Sequence, residues 1–137
     1  LAHVGAVPLK GFGDGILVAP EGCESFRGRK IQCPRGSLTW STGDALAIRQ
    51  TTKADLAVMA KTENVKIATE QRACTLFDKT ADCEIVKIEN PKDGSKMNFV
   101  LLVGGEQERL VVCTTPEDIG AKLPPPCDQA ISLSPVR

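Results

Sequence analysis

Asn98-Phe99-Val100-Leu101-Leu102-Val103-Gly104-Gly105-Glu106-Gln107-Glu108-Arg109-Leu110-Val111-Val112-Cys113-Thr114 decides the fold class. Two runs rich in branched aliphatic residues flank a Gly-Gly gap, the pattern of two strands joined by a turn that needs positive φ. The run Phe99–Val103 is apolar at every position, so as a strand it needs cover on both faces, from another element or from a partner chain. Phe99, Val100, Leu101, Leu102 and Val103 are therefore the candidate partner-binding residues, with Leu110, Val111 and Val112 on the hairpin mate adding to the apolar surplus.

Outward from this hairpin the apolar residues continue in short runs and alternations bounded by glycine, proline or charged turns. This predicts strands at Gly15–Ala19, Arg29–Cys33, Ser37–Trp40, Ala45–Gln50, Asp55–Ala60, Val65–Thr69, Ala73–Phe77 and Cys83–Glu89, before Asn98–Val103 and Arg109–Thr114. Lys92-Asp93-Gly94-Ser95 supplies a further hairpin turn. In Ala45–Gln50 the alternation sets Leu46 and Ile48 on one face; in Asp55–Ala60 it sets Leu56, Val58 and Ala60 together. Thr52–Lys61 is the ambiguous stretch, because Ala54, Ala57, Val58 and Lys61 also fit a helical stripe. Many short strands with frequent turn signals predict an all-β, disulfide-stabilised antiparallel β-sandwich over residues 14–137. Residues 1–13 mix small, glycine and proline residues without periodicity and read as a flexible leader or linker. After Thr114 the pattern dissolves, and Pro124-Pro125-Pro126 predicts an extended surface strap that Cys127 pins down. Ile131 and Leu133 alternate with serines as one more edge strand.

The chain has 137 residues, one domain's worth, and 42% of them are hydrophobic, enough for a core. Lysine plus arginine number 17, as do aspartate plus glutamate, so no net positive field favours nucleic acid or an anionic membrane. No stretch of some 18 apolar residues predicts a transmembrane helix. Without a signal peptide the chain reads as a mature protein or an excised domain, Leu1 favouring excision.

Six cysteines stand at Cys23, Cys33, Cys74, Cys83, Cys113 and Cys127, an even number without C-x-x-C spacing. Three disulfides and an oxidising compartment follow as the expectation, against the alternative of buried thiols. Six cysteines allow fifteen connectivities, among which sequence alone does not choose. Proximity favours Cys23 with Cys33, Cys74 with Cys83, and Cys113 with Cys127.

Little in the chain points to catalysis. His3 is the one histidine and lies in the leader, which argues against a nucleophile–base pair. Seventeen acids are present, but their placement singles out no pair. Gly11-Phe12-Gly13-Asp14-Gly15 imitates a phosphate loop yet precedes a strand and lacks the lysine that such a loop uses. No cofactor, metal site or enzymatic activity is expected. Arg27, Arg29, Lys30 and Arg35 form one basic cluster, either a site for an acidic glycan or acidic partner surface or a solvated loop that protects an edge strand. Trp40, beside Ser37, Thr39, Ser41 and Thr42, is either a sugar-stacking platform or a core residue.

The layout of Gly22-Cys23, Gln32-Cys33-Pro34-Arg35-Gly36-Ser37-Leu38-Thr39-Trp40, the Ala73-Cys74 to Asp82-Cys83 hairpin and Pro124-Pro125-Pro126-Cys127 resembles the galectin-like C-terminal domains of the apicomplexan microneme protein 1 family. That resemblance spans essentially the whole chain and implies a jelly-roll type of sandwich. It also implies a non-catalytic part of a parasite adhesin, stored in the microneme, then secreted and held at the parasite surface. The implied partner is an EGF-like domain of a transmembrane escorter, microneme protein 6, whose folding and transport the domain would assist for host-cell attachment and invasion. Galectins read galactose through His-X-Asn-Pro-Arg followed by Trp and Glu-X-Arg. Here Asn90-Pro91 precedes Lys92 with no histidine before it, and Glu106-Gln107-Glu108-Arg109 is only a partial counterpart of the second part, so sugar binding is not expected. The alternatives are a six-cysteine parasite surface antigen or glycan-binding ectodomain, and a protease inhibitor presenting the Pro124–Cys127 strap.

Overall fold

Hairpin grammar builds the protein's sheet. The computed structural model describes residues 6–8, 16–18, 20–26, 30–41, 43–104, 109–120 and 122–134. Its strands are β1 (Ala6–Pro8), β2 (Ile16–Val18), β3 (Glu24–Phe26), β4 (Lys30–Cys33), β5 (Gly36–Trp40), β6 (Lys66–Leu76), β7 (Lys79–Glu89), β8 (Lys96–Gly104), β9 (Arg109–Thr115) and β10 (Ile131–Leu133). An α-helix, α1 (Ala45–Glu63), separates β5 from β6, and a short 3-10 turn covers Cys127–Gln129. β3 to β10 form one antiparallel sheet in the order β10-β6-β7-β8-β9-β5-β4-β3, and β1 pairs separately with β2. The pairing of β1 puts a strand within the expected leader, whose remaining residues lie outside those described.

The all-β, disulfide-stabilised antiparallel class is the one expected, but the layers are made differently. One sheet curls so that its two ends share a single core, where two stacked sheets are expected. Ile31 and Leu38 from one end meet Leu76, Ile131 and Leu133 from the other in that concave core, with Ile85, Val100, Leu102 and Val111 at its floor. The three disulfides join Cys23 to Cys33, Cys74 to Cys83 and Cys113 to Cys127, the proximity pairing. All six cysteines are buried in the concave core, so each bridge closes a short loop and also fills volume.

Residues 45–60, expected as two strands, are helix. Asp44 caps the first turn by accepting the Ala47 N–H at 3.1 Å, and Asn64 ends the helix at φ 57°. Alanine at 45, 47, 54, 57 and 60 makes the segment a good helix former. Ala45, Ile48, Leu56 and Met59, spaced by about one turn or two, face the convex side of the sheet. The helix splits the faces that strand alternation groups: Leu46 is 51% exposed while Ile48 packs on the sheet, and Val58 is 65% exposed while Leu56 packs inward. The two strands expected at Val65–Thr69 and Ala73–Phe77 are one, β6. Its charged middle stays in register because Glu70 accepts Arg72 at 2.9 Å and Lys87 on β7 at 3.0 Å.

The proline strap also differs. Leu123, Pro124, Pro126 and Cys127 are buried, so the segment after β9 is a lid on the concave core and not a surface strap. Thr115 fixes its start, donating to the Arg35 carbonyl at 2.8 Å and accepting the Glu117 N–H at 3.0 Å. Its end is β10, which pairs with Cys74–Leu76 as the expected edge strand.

Candidate interaction surface

The Phe99–Val103 run is the first place to look, and the fold closes it. Val100, Leu101 and Leu102 have no exposed surface, and Phe99 and Val103 are half-buried. Val100 and Leu102 enter the concave core; Phe99, Leu101 and Val103 pack under α1 with Val86 and Leu110. The second apolar face that suggests a partner is thus taken by the helix that strand grammar missed. Full burial of each such side chain contributes about 1.5–3 kcal/mol to folding, so the run serves stability and offers no free face to a partner. Val100, Leu101 and Leu102 are thereby withdrawn as partner-binding residues, while Phe99 and Val103 keep partial exposure beside α1.

What α1 leaves uncovered lies further along the same convex face. Ile67 on β6, Ile88 on β7 and Met97 on β8 are register neighbours and form one cross-strand row. Ile88 is buried, while Ile67 is 39% and Met97 40% exposed. The row follows from the observed registers of β6 to β8, since the strand expected from Asn98 leaves Met97 out, and it is surface because α1 does not reach it.

On the concave side, beyond the lid, the same strand ends hold a cleft of about 550 Å³. Lys66, Lys87, Lys96, Glu89, Asn98 and Asp118 stand on its wall. The polar groups are largely engaged with one another: Lys96 meets Asp118 at 3.1 Å, and Asn98 donates to the Glu117 carbonyl at 2.7 Å. Lys87 holds the Glu70 carboxyl below its ordinary range, with Arg72 adding to the effect. Mixed charge of this kind gives no strong field of either sign. Among the described residues no three histidine, cysteine or acidic side chains converge as metal ligands.

The other candidate residues are placed as follows. Trp40 is 6% exposed within the concave core, so its ring has no face for a sugar. Asn90 accepts the Lys92 N–H at 3.0 Å and Ser95 closes the same hairpin, so this asparagine shapes a turn. In the basic cluster Arg35 is clasped by Glu117 through both nitrogens, at 2.5 and 2.8 Å, and the pairing lowers the Glu117 pKa. Lys30 lies 5.8 Å from the ring of Phe26, its register neighbour. Arg27, Arg29 and Glu106 to Glu108 lie outside the described residues, as do Thr42 and the glycine-rich entry at 11–15. The buried lid leaves Pro124 and Pro126 unavailable as an inhibitor loop.

Comparison with family models, with curated proteins and with solved structures finds no match to this chain.

Proposed function

We propose that this domain is a non-catalytic protein-binding module of a secreted adhesin, acting by contact with a small disulfide-rich partner of the EGF-like kind. The observation that carries it is the convex row of Ile67, Ile88 and Met97, apolar side chains presented together beside α1 on a chain already braced by three disulfides. Disulfides of this density fit an oxidising, secretory compartment. An EGF-like module has little core of its own, so apolar cover from this row would stabilise its folded form by mass action. The microneme setting and the escorter partner rest on the family resemblance of the cysteine layout alone.

The test is binding of the oxidised domain to an isolated EGF-like module of a transmembrane microneme protein, by calorimetry. Met97→Asp, at an exposed site, should leave the fold intact and weaken binding at least about tenfold, as expected for loss of an interface anchor. Undiminished affinity in a normally folded Met97→Asp domain rejects this face, and no binding by the wild-type domain rejects the partner class.

A further inference from the structure

We propose that the outer edge of β6 is a self-association site, where a second copy of this chain adds its own β6 antiparallel across a two-fold axis at Ala68. The surface meets the convex row only at Ile67, and the proposal does not depend on the EGF-like partner.

β6 is an eleven-residue strand, but β10 pairs only with Cys74, Thr75 and Leu76. One further bond, from the Ser134 N–H to the Ala73 carbonyl at 2.9 Å, ends the cover. Among the described residues nothing pairs with the outer side of Lys66–Arg72. The N–H and C=O of a strand residue point to the same side and alternate along the chain. Ala73 faces outward, so Ile67, Thr69 and Gln71 face outward too. The side chains of Lys66, Ile67, Ala68, Thr69 and Gln71 are exposed, so among the described residues no element lies over this edge. It has no proline or glycine to blunt it.

Charge selects both the occupant and the register. With the two-fold axis at Ala68, Lys66 stands opposite Glu70 of the second copy, and the pair occurs twice. Ile67 then faces Thr69, and Val65 faces Gln71. Moving the axis to Thr69 sets Lys66 against Arg72, a like-charge pair. Moving it to Ile67 sets Glu70 against Asn64, which is the left-handed cap of α1 and not strand. Lys66-Ile67-Ala68-Thr69-Glu70 is therefore its own antiparallel complement, which a two-fold interface requires. In this register the outward N–H and C=O of Ile67 exchange bonds with those of Thr69. The half-exposed Ile67 side chain gains cover, and the small Ala68 sits on the axis, where strands bring side chains closest.

Sedimentation equilibrium of the oxidised chain decides it. The expected result is a concentration-dependent dimer. Thr69→Pro removes an N–H that points away from β7, so the sheet of one copy keeps its own ladder while the dimer is lost. Lys66→Glu should raise the dissociation constant at least about tenfold, and mixing it with Glu70→Lys chains should restore a heterodimer in which both ion pairs are remade. A chain that stays monomeric at about 1 mM overturns the proposal, since that concentration exceeds what a specific interface needs. So does a dimer that Lys66→Glu leaves unchanged. If Thr69→Pro fails to fold, Lys66→Glu alone carries the decision, because Glu70→Lys also breaks the Glu70 pairs with Arg72 and Lys87 within one chain.

Discussion

The Nζ of Lys53 on α1 lies 2.5 Å from the Oε2 of Glu84 on β7, and Glu84 is only 7% exposed. A carboxylate has been placed under the helix with a lysine from that helix as its counter-ion. The lysine stem is 40% exposed, so water shares in solvating the pair and its net worth is modest. Removing only the lysine leaves a buried charge without its partner. Lys53→Ala should cost about 1–3 kcal/mol, whereas Glu84→Leu should be near neutral or stabilising because an apolar side chain suits the site. Urea midpoints of the two variants check this; equal losses would mean that the pair is itself stabilising.

The disulfides carry unequal structural duties. Cys23–Cys33 ties the start of the edge strand β3 to the end of its neighbour β4, while Cys113–Cys127 fastens the lid that buries Leu123 and Ile119. The chain-entropy model assigns each loop roughly 2.5–3 kcal/mol. Replacing Cys113 and Cys127 by serine should cost more than that figure, because the lid's apolar contacts loosen with it. The Cys23/Cys33 pair of serines should cost about that much or less. Thermal unfolding of the two double variants measures the difference, and thiol titration of the unfolded wild type should find no free cysteine.

Burial of the Phe99–Val103 run turns a binding question into a folding one. Val100 is in the concave core with no exposed surface, so Val100→Asp buries an unpaired charge and should prevent folding. Leu101→Ala, on the helix side, should cost about 2–5 kcal/mol by leaving a cavity. Circular dichroism and urea titration read both outcomes; a well-folded Val100→Asp domain would mean that the run has a free face after all.

Much of the sheet was legible because period 2 and turn chemistry agree locally. Asp93-Gly94 marks a turn in which Gly94 adopts φ 74°, and the pairing of β7 with β8 follows from it. The β6–β7 turn has no such signal: Phe77 and Asp78 take φ 48° and 66°, with Phe77 held by core contact and by the Ala130 carbonyl at 2.8 Å. Tertiary packing there overrides an unfavourable left-handed conformation that no dipeptide rule anticipates. Period alone does not decide residues 45–60, because Ala-Leu-Ala-Ile satisfies both periods and Thr52–Lys61 fits a helical stripe as well as a strand. The capping residues of α1, Asp44 and Asn64, are the signals that distinguish them. The choice also decides the candidate site, since strands at 45–60 leave the Phe99–Val103 run uncovered while a helix covers it. The edge of β6 was hidden for a different reason: which strand lies at an edge depends on long-range order, which local pattern does not encode.

Acid should loosen the lid in a defined direction. Arg35 holds the Glu117 carboxyl below its ordinary value of 4.5, chiefly through their hydrogen bonds and then through charge attraction. Glu70 is lowered likewise by Lys87 first and Arg72 after it. A carboxyl whose folded pKa is depressed stabilises the fold fully above its unfolded value, and that stabilisation is lost as pH falls through the folded pKa. Stability should therefore hold down to about pH 5 and decline below 4.5. Both groups are exposed enough that solvent screening keeps each contribution small, and salt should shrink it further. Glu117→Gln should be less stable than wild type at neutral pH, and the gap should close as the wild-type carboxyl protonates. Urea midpoints of both proteins from neutral pH to about pH 3 measure this. A gap that persists unchanged at the acid end would mean that the Arg35 clasp acts through shape, with ionisation contributing nothing.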